Sequence, residues 1–245
     1  MNSVFKYCAP KQHYLESLCN NQVNFSHPHY LNDRAERAEH LILPYKRFCE
    51  DIRWGDESVR VFDDQAIASF TNCDSLGNPY FWEKYAADYS GFAIEYDRET
   101  LTNLPAIYCI PLFLEDVKYV VKPYDLDNYQ NTFADAITGK VITIKDCIND
   151  FKRGDPKKLD YLFQYLRFIK LKTEWGQESE SRMVIGQVTR RSRYLHINPP
   201  YGFNLDLPAG TIKSVTIGAK MSRYYRNAII KQAATSGYIV HEQTE

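Results

Sequence analysis

No ready-made metal or phosphate site is spelled out in this chain. Its six cysteines, Cys8, Cys19, Cys49, Cys73, Cys109 and Cys147, stand too far apart for a Cys-x-x-Cys zinc clip or redox pair. Neither G-x-G-x-x-G nor G-x-x-x-x-G-K-[ST] spacing occurs, which removes the two commonest phosphate-cradling loops. No apolar run is long enough for a bilayer-spanning helix. The opening residues MNSVFKYCAP have no apolar signal core, so the expectation is a cytoplasmic chain with reduced thiols and no membrane partner. A net charge of −1 excludes a chain that holds nucleic acid by bulk electrostatics. Repeats, low-complexity tracts and flexible linkers are also lacking.

What is abundant is tyrosine: 19 residues, enough either to furnish a wet cleft gripping a flat ligand or to reflect compositional bias. With 245 residues and 44% hydrophobic content, the chain can bury a core without staples.

Patterning predicts a single α+β domain over 1–245 with a mixed, mainly antiparallel sheet and covering helices. Strands are expected over Val4–Tyr7, Gln22–Ser26, Ala66–Thr71 and the alternating FAIEY after Gly91. One or two more are expected between Leu104 and Val121, and others over Arg182–Val188, Tyr194–Ile197, Ile212–Ile217 and Tyr238–His241. Helices are expected over His13–Leu18, after Asn32-Asp33, over YFWEKYAADY behind Pro79, over Leu159–Leu171, and between Ser222 and Gly237. The polar stretch around 122–158 reads as an insertion or helical cover.

The chemistry-bearing candidates lie in Glu178-Ser179-Glu180, at the entrance of the apolar run RMVI. If 178–185 is extended, side chains at i and i+2 share a face and both carboxylates point into one site. Arg182 falls on the same face, either as their neutralising partner or as a ligand contact. The bland reading of the same residues is a solvated strand entrance. Asp33, Asp63 and Asp64 together with the glutamates are a conceivable cation cluster for a nuclease, though no Glu-x-Lys pairing accompanies them, and the metal expectation is none. His27-Pro28-His29 reads as a loop. RRSRYLH (190–196), Arg223 and Arg226 read as a solvated basic face or a contact for a phosphate-bearing partner.

Several segments carry a family resemblance from end to end. Lys6-Tyr7, Phe25-Ser26, Pro28, Asn32-Asp33, Ser69-Phe70, Trp82, Tyr85-Ala86, Gly91-Phe92, Asp97, and Trp175 with Glu178, Glu180 and Arg182 resemble the motif series of bacterial domain-of-unknown-function family 2971. Leu31 and Arg34 depart from it, standing where the family has Phe and Pro. The layout is similar to the ADP-ribosyltransferase fold: a polar-aromatic first strand, a Phe-Ser second strand after a helix, and Glu-x-Glu entering a late strand. That resemblance implies NAD as substrate, with Glu180 gripping the nicotinamide ribose and Glu178 on the acceptor side. It implies cofactor contacts at Tyr7, Ser26, Tyr85 and Arg182, an aromatic wall supplied by Tyr7, Trp82 or Tyr85, and a protein or nucleic-acid acceptor. Trp82 and Tyr85, three apart on the expected helix, read more readily as core than as ligand-stacking rings. It would suit a bacterial toxin or phage-defence effector. The alternative from another class is a non-catalytic ligand- or partner-binding module of a defence or stress system, in which the same motifs build the core.

Overall fold

The computed structural model describes residues 2–26, 42–43, 65–72, 76–110, 112–125, 132–134, 141–155, 162, 165–171, 178–185, 193–198 and 202–243. The helix expected after Asn32-Asp33, the His27-Pro28-His29 loop, Asp33, Asp63, Asp64 and Trp175 lie outside these residues.

Strand β1 (Ser3–Cys8) leads through α1 (Gln12–Cys19) into β2 (Gln22–Ser26). Next come β3 (Ala66–Thr71), α2 (Pro79–Lys84), β4 (Phe92–Asp97), α3 (Arg98–Tyr108) and β5 (Leu112–Asp116). After α4 (Ile144–Lys152) follow β6 (Glu180–Ile185), β7 (Leu195–Asn198), β8 (Gly202–Asp206), β9 (Ile212–Ile217), α5 (Arg223–Ser236) and β10 (Ile239–Glu242). Among the described residues the ten strands form one sheet in the order β7-β8-β2-β3-β1-β4-β9-β10, with β6 pairing both β3 and β5. All these pairs are antiparallel except β9 with β10, which the α5 crossover makes parallel. This is one α+β domain with a mixed, mainly antiparallel sheet.

A fork in the sheet sets the geometry of everything below. One edge of β3 is filled by β6, register Glu180↔Thr71 through Ile185↔Ala66. The other edge is divided: Phe5 of β1 pairs with Thr71, whereas Ser26 of β2 pairs with Ile67. Since β1 and β2 both run antiparallel to β3, they are parallel to each other and diverge along it. Directly paired residues of an antiparallel ladder share a face. One face therefore carries Val4, Cys8, Phe25, Ala68, Phe70, Ile94 and Met183, which meet Leu15, Leu18, Leu101, Leu104 and Ile229 of the helices in the main core. The opposite face carries Phe5, Tyr7, Ser69, Thr71, Glu180 and Arg182.

Three elements differ from the sequence-based expectation. The helix behind Pro79 starts as predicted, with Asn78 accepting from the Tyr80 N–H at 3.1 Å, but stops at Lys84 rather than running on to Tyr89. Ala87, Asp88 and Tyr89 turn left-handed instead, at φ 48°, 52° and 63°. Such a conformation costs roughly 1–2 kcal/mol per non-glycine residue. Tertiary contacts hold it: Lys220 bonds Asp88 at 2.8 Å, and the Lys220 N–H reaches the Tyr89 carbonyl at 3.0 Å. The stretch from Leu104 onward begins as helix, because α3, capped by the Asp97 carboxylate on the Thr100 N–H at 2.8 Å, tolerates Pro105 near its C-terminal end. The helix expected over Leu159–Leu171 gives way at its end to strand. Ile169–Leu171 pairs in parallel with Lys118–Val120, so tertiary pairing overrides the helical stripe. Within 122–158, the described part contains a pairing of Thr132–Ala134 with Val141–Thr143, then α4 behind a Thr143–Asp146 capping box.

Gly91 closes the left-handed turn against the end of β1. A methyl group there would lie 2.1 Å from the Cys8 carbonyl oxygen and 2.9 Å from that of Ala86, both rigid backbone. Gly91→Ala is expected to destabilise the protein by about 2–3 kcal/mol, the cost of overpacking a site that cannot yield. Urea unfolding measures it, and an unchanged midpoint would contradict the close approach.

Candidate active site

The Glu-x-Glu pair is not the simple extended one expected. Strand β6 begins only at Glu180, because Ser179 sits in the left-handed region at φ 40°. The kink is pinned on both sides: the Asn72 N–H donates to the Ser179 carbonyl at 2.9 Å, and the Thr71 hydroxyl to the Glu178 carbonyl at 2.9 Å. A non-glycine residue in that conformation stores strain. The two carboxylates are nonetheless joined through one ammonium, with Lys170 Nζ 2.9 Å from Glu178 and 3.4 Å from Glu180.

Glu180 is 7% exposed and held by a two-pronged guanidinium. Arg182 donates Nε to Oε1 at 2.7 Å and Nη2 to Oε2 at 3.0 Å, while its Nη1 donates to the Arg167 carbonyl at 2.7 Å. Arg182 lies two residues on along the strand and on the same face, so the pair is local in sequence and fixed by backbone geometry. Burial opposes ionisation of Glu180, but Arg182, then Lys170 and the Ser69 hydroxyl, outweigh it and hold the carboxyl below its ordinary range.

Glu178 has a different shell. Its Oε1 accepts from the phenols of Tyr80, at 2.9 Å, and Tyr85, and from Lys84 Nζ at 3.1 Å; its Oε2 takes Lys170. Helix α2 and its end supply three of these donors, since positions 80, 84 and 85 follow the helical repeat. Burial again opposes ionisation, and donation by Tyr85 together with the Lys170 charge overcomes it, leaving the Glu178 carboxyl lowered. In return the Tyr80 phenol is pushed up to about 12 by burial and by its bond to Glu178, and Tyr85 is raised for the same reasons. Both stay neutral donors at physiological pH.

Tyr7 and Ser26 stand on the Glu180 face, one on each prong of the fork. Tyr7 is half-buried, stacked on Phe81 with ring centroids 5.3 Å apart and edge-on to Trp82. Trp82 is fully buried, its indole N–H donating to the Leu76 carbonyl at 2.8 Å and its ring stacked on Tyr89. It is core, the more favoured of its two sequence readings, and not a ligand wall: its ring faces Tyr7 and Tyr89, whereas the Tyr85 phenol turns to Glu178. Lys6, paired with Ile94, stands on the other face of β1, where its Nζ lies over the Phe70 ring and reaches the Ser69 carbonyl at 3.4 Å. Burial depresses its ammonium.

Sequence reasoning did not single out Lys170, Tyr80 or Lys84. The usable signal for Lys170 was its place in KLKTEW just ahead of the acidic motif, but a lysine gives no pattern that announces burial. Cys8, Cys19, Cys109 and Cys147 are free thiols, and Cys49 and Cys73 lie outside the described residues. Among the described residues no three His, Cys, Asp or Glu side chains gather as a metal site, and no helix is long and apolar enough to cross a membrane.

No family model matches the chain, and no curated protein matches it. Among solved structures, DarT of Thermus sp. 2.9 in complex with NAD+ is similar at a TM-score of 0.34 and 8% identity, over 99% of this chain and 95% of that one.

Proposed function

We propose that this chain is an NAD-dependent ADP-ribosyltransferase that cleaves the N-glycosidic bond to nicotinamide and passes ADP-ribose to a protein or nucleic-acid acceptor, as a bacterial toxin or phage-defence effector does. The observation that supports this best is Glu180: a buried carboxylate kept ionised and locked in orientation by Arg182, on the sheet face that also bears Tyr7 and Ser26 at the fork. As the bond from the ribose anomeric carbon to nicotinamide lengthens, its electron pair leaves with the neutral base and positive charge develops on the ribose. A preorganised anion in a water-poor site lowers the energy of that state. The acceptor then bonds to the anomeric carbon and releases its proton. In this reading Glu180 faces the ribose, Tyr7 and Tyr85 give ring and phenol contacts, Ser26 contacts the ribose or nicotinamide from the opposite prong, and Arg182 keeps Glu180 in place. Glu178 is the second carboxylate of the site.

One observation favours the second reading, a non-catalytic ligand- or partner-binding module. Arg182 twice, Lys170 and Ser69 together donate to Glu180, which fills the roughly four lone-pair positions of a carboxylate. A structural ion pair needs nothing more. Nicotinamide release from NAD by the wild-type chain, measured with and without a panel of protein and nucleic-acid acceptors, separates the two. Release is expected. Its absence across the panel would remove the transferase reading and leave the binding module.

A further inference from the structure

Lys170 comes from outside the large sheet. Its strand, Ile169–Leu171, pairs with Lys118–Val120 and delivers the ammonium between the two glutamates, where it is 4% exposed. Its contacts to the two glutamates are unequal: 2.9 Å to Glu178 and 3.4 Å to Glu180. For a ribose hydroxyl to donate to Glu180, one donor must give way. Arg182 is tied by its fork and by the Arg167 carbonyl, so the long Lys170 contact yields most easily. The ammonium then remains close by, because Glu178 is itself fixed by Tyr80, Lys84 and Tyr85.

We propose that Lys170 is the positioning residue through which Glu178 governs Glu180: anchored on Glu178, it holds Glu180 in orientation through its charge and yields its own long contact to a ribose hydroxyl. This deepens the transferase reading and rests on it. It also gives Glu178 a use inside the site whatever the acceptor is.

The test uses Lys170→Met and Lys170→Arg in the full chain, with two readouts. Removing a cation next to a carboxylate raises its pKa, so the acid limb of the pH–rate profile should move to higher pH in Lys170→Met. Its kcat for nicotinamide release should fall about 10–100-fold with KM little changed, the mark of an interaction expressed in the transition state. Lys170→Arg keeps the charge and should restore the limb and most of the rate, which a merely space-filling role would not require. The other charged or titratable groups facing these carboxylates among the described residues are Arg182, Tyr119, Tyr80, Lys84 and Tyr85, and the Lys6 ammonium acts on Glu180 by charge from the other face of β1. All are unchanged in these variants. The second readout needs no turnover: carbon-13 NMR titration of the glutamate carboxyls, in which the midpoints of both Glu178 and Glu180 should rise in Lys170→Met and return in Lys170→Arg. A wild-type rate and acid limb in Lys170→Met overturn the proposal. If the wild type releases no nicotinamide, the transferase reading fails by itself, and the NMR midpoints judge the coupling: raised midpoints retain it, unmoved ones overturn it. Should Lys170→Met not fold, Lys170→Gln, which removes the charge but keeps a polar side chain for the buried site, is titrated with the same expected direction and the same overturning result.

Discussion

Glu180→Gln is expected to lower nicotinamide release roughly 10²–10³-fold, the usual cost of deleting one preorganised electrostatic stabiliser. The amide keeps the size of the carboxylate but loses its charge and turns one acceptor into a donor. Read from the sequence alone, such an isosteric change should leave the fold intact. The Arg182 fork says otherwise, because its Nε and Nη2 both need acceptors and Arg182 is 1% exposed. A buried guanidinium left facing an amide N–H₂ is costly, so the variant should melt lower as well as turn over slowly. Rates must therefore be taken well below the melting temperature, with the folded fraction followed by circular dichroism. The transferase reading expects a large rate loss in fully folded protein. A variant that only melts lower, while any turnover by the wild type persists unchanged in it, would sink Glu180 as the catalytic carboxylate.

How far the sequence led depends on which physics each element obeys. Strands whose side chains alternate between a helix-covered core and a second face, such as β2 with Val23 and Phe25 inward, were readable from the alternation of polar and apolar residues. So was the end of α5 at Gly237, which takes φ 77° and closes the last helical turn. Features set by contacts distant in sequence were not. Nothing local announces that Ala87, Asp88 and Tyr89 turn left-handed, because the turn is held by Lys220, over 130 positions away. The helix through Pro105 went unread, since Asp97 capping and the burial of Leu101 and Leu104 sustain it. In the candidate site, Glu178, Glu180 and Arg182 stood out because charges at i, i+2 and i+4 flank an apolar strand. The kink at Ser179 and the bridging Lys170 were invisible: one is a backbone dihedral imposed by Asn72 and Thr71, the other a lysine carried in by a separate strand pair. The fork followed from no single strand, since it exists only once β1 and β2 compete for one edge of β3.

Arg182→Met carries the largest expected loss of stability and also decides what the arginine is for. The resemblance placed Arg182 among the cofactor contacts, while the structure directs its guanidinium to Glu180 and the Arg167 carbonyl. Methionine retains much of the side-chain volume but leaves Glu180, among the described residues, with Lys170, at 3.4 Å, and Ser69 as donors. Breaking one side of a buried pair typically costs about 3–5 kcal/mol, whereas removing both sides is often close to neutral. Glu180→Gln/Arg182→Met is therefore expected to recover most of that loss, and a double-mutant cycle by urea unfolding reads the coupling directly. The pH dependence has a definite sign. Glu180 has a folded pKa below that of an ordinary glutamate, so its stabilisation is fully present above the ordinary glutamate value and is lost as pH falls through the folded pKa. Without Arg182 the folded pKa rises, and the gap between Arg182→Met and wild type should narrow as the pH is lowered through the acidic range and Glu180 takes up its proton. A phosphate-binding arginine predicts the opposite pattern: weaker NAD binding, little change in unfolding midpoint, and no narrowing at low pH. That outcome would return Arg182 to the ligand and leave Glu180 with Lys170 as its principal cation.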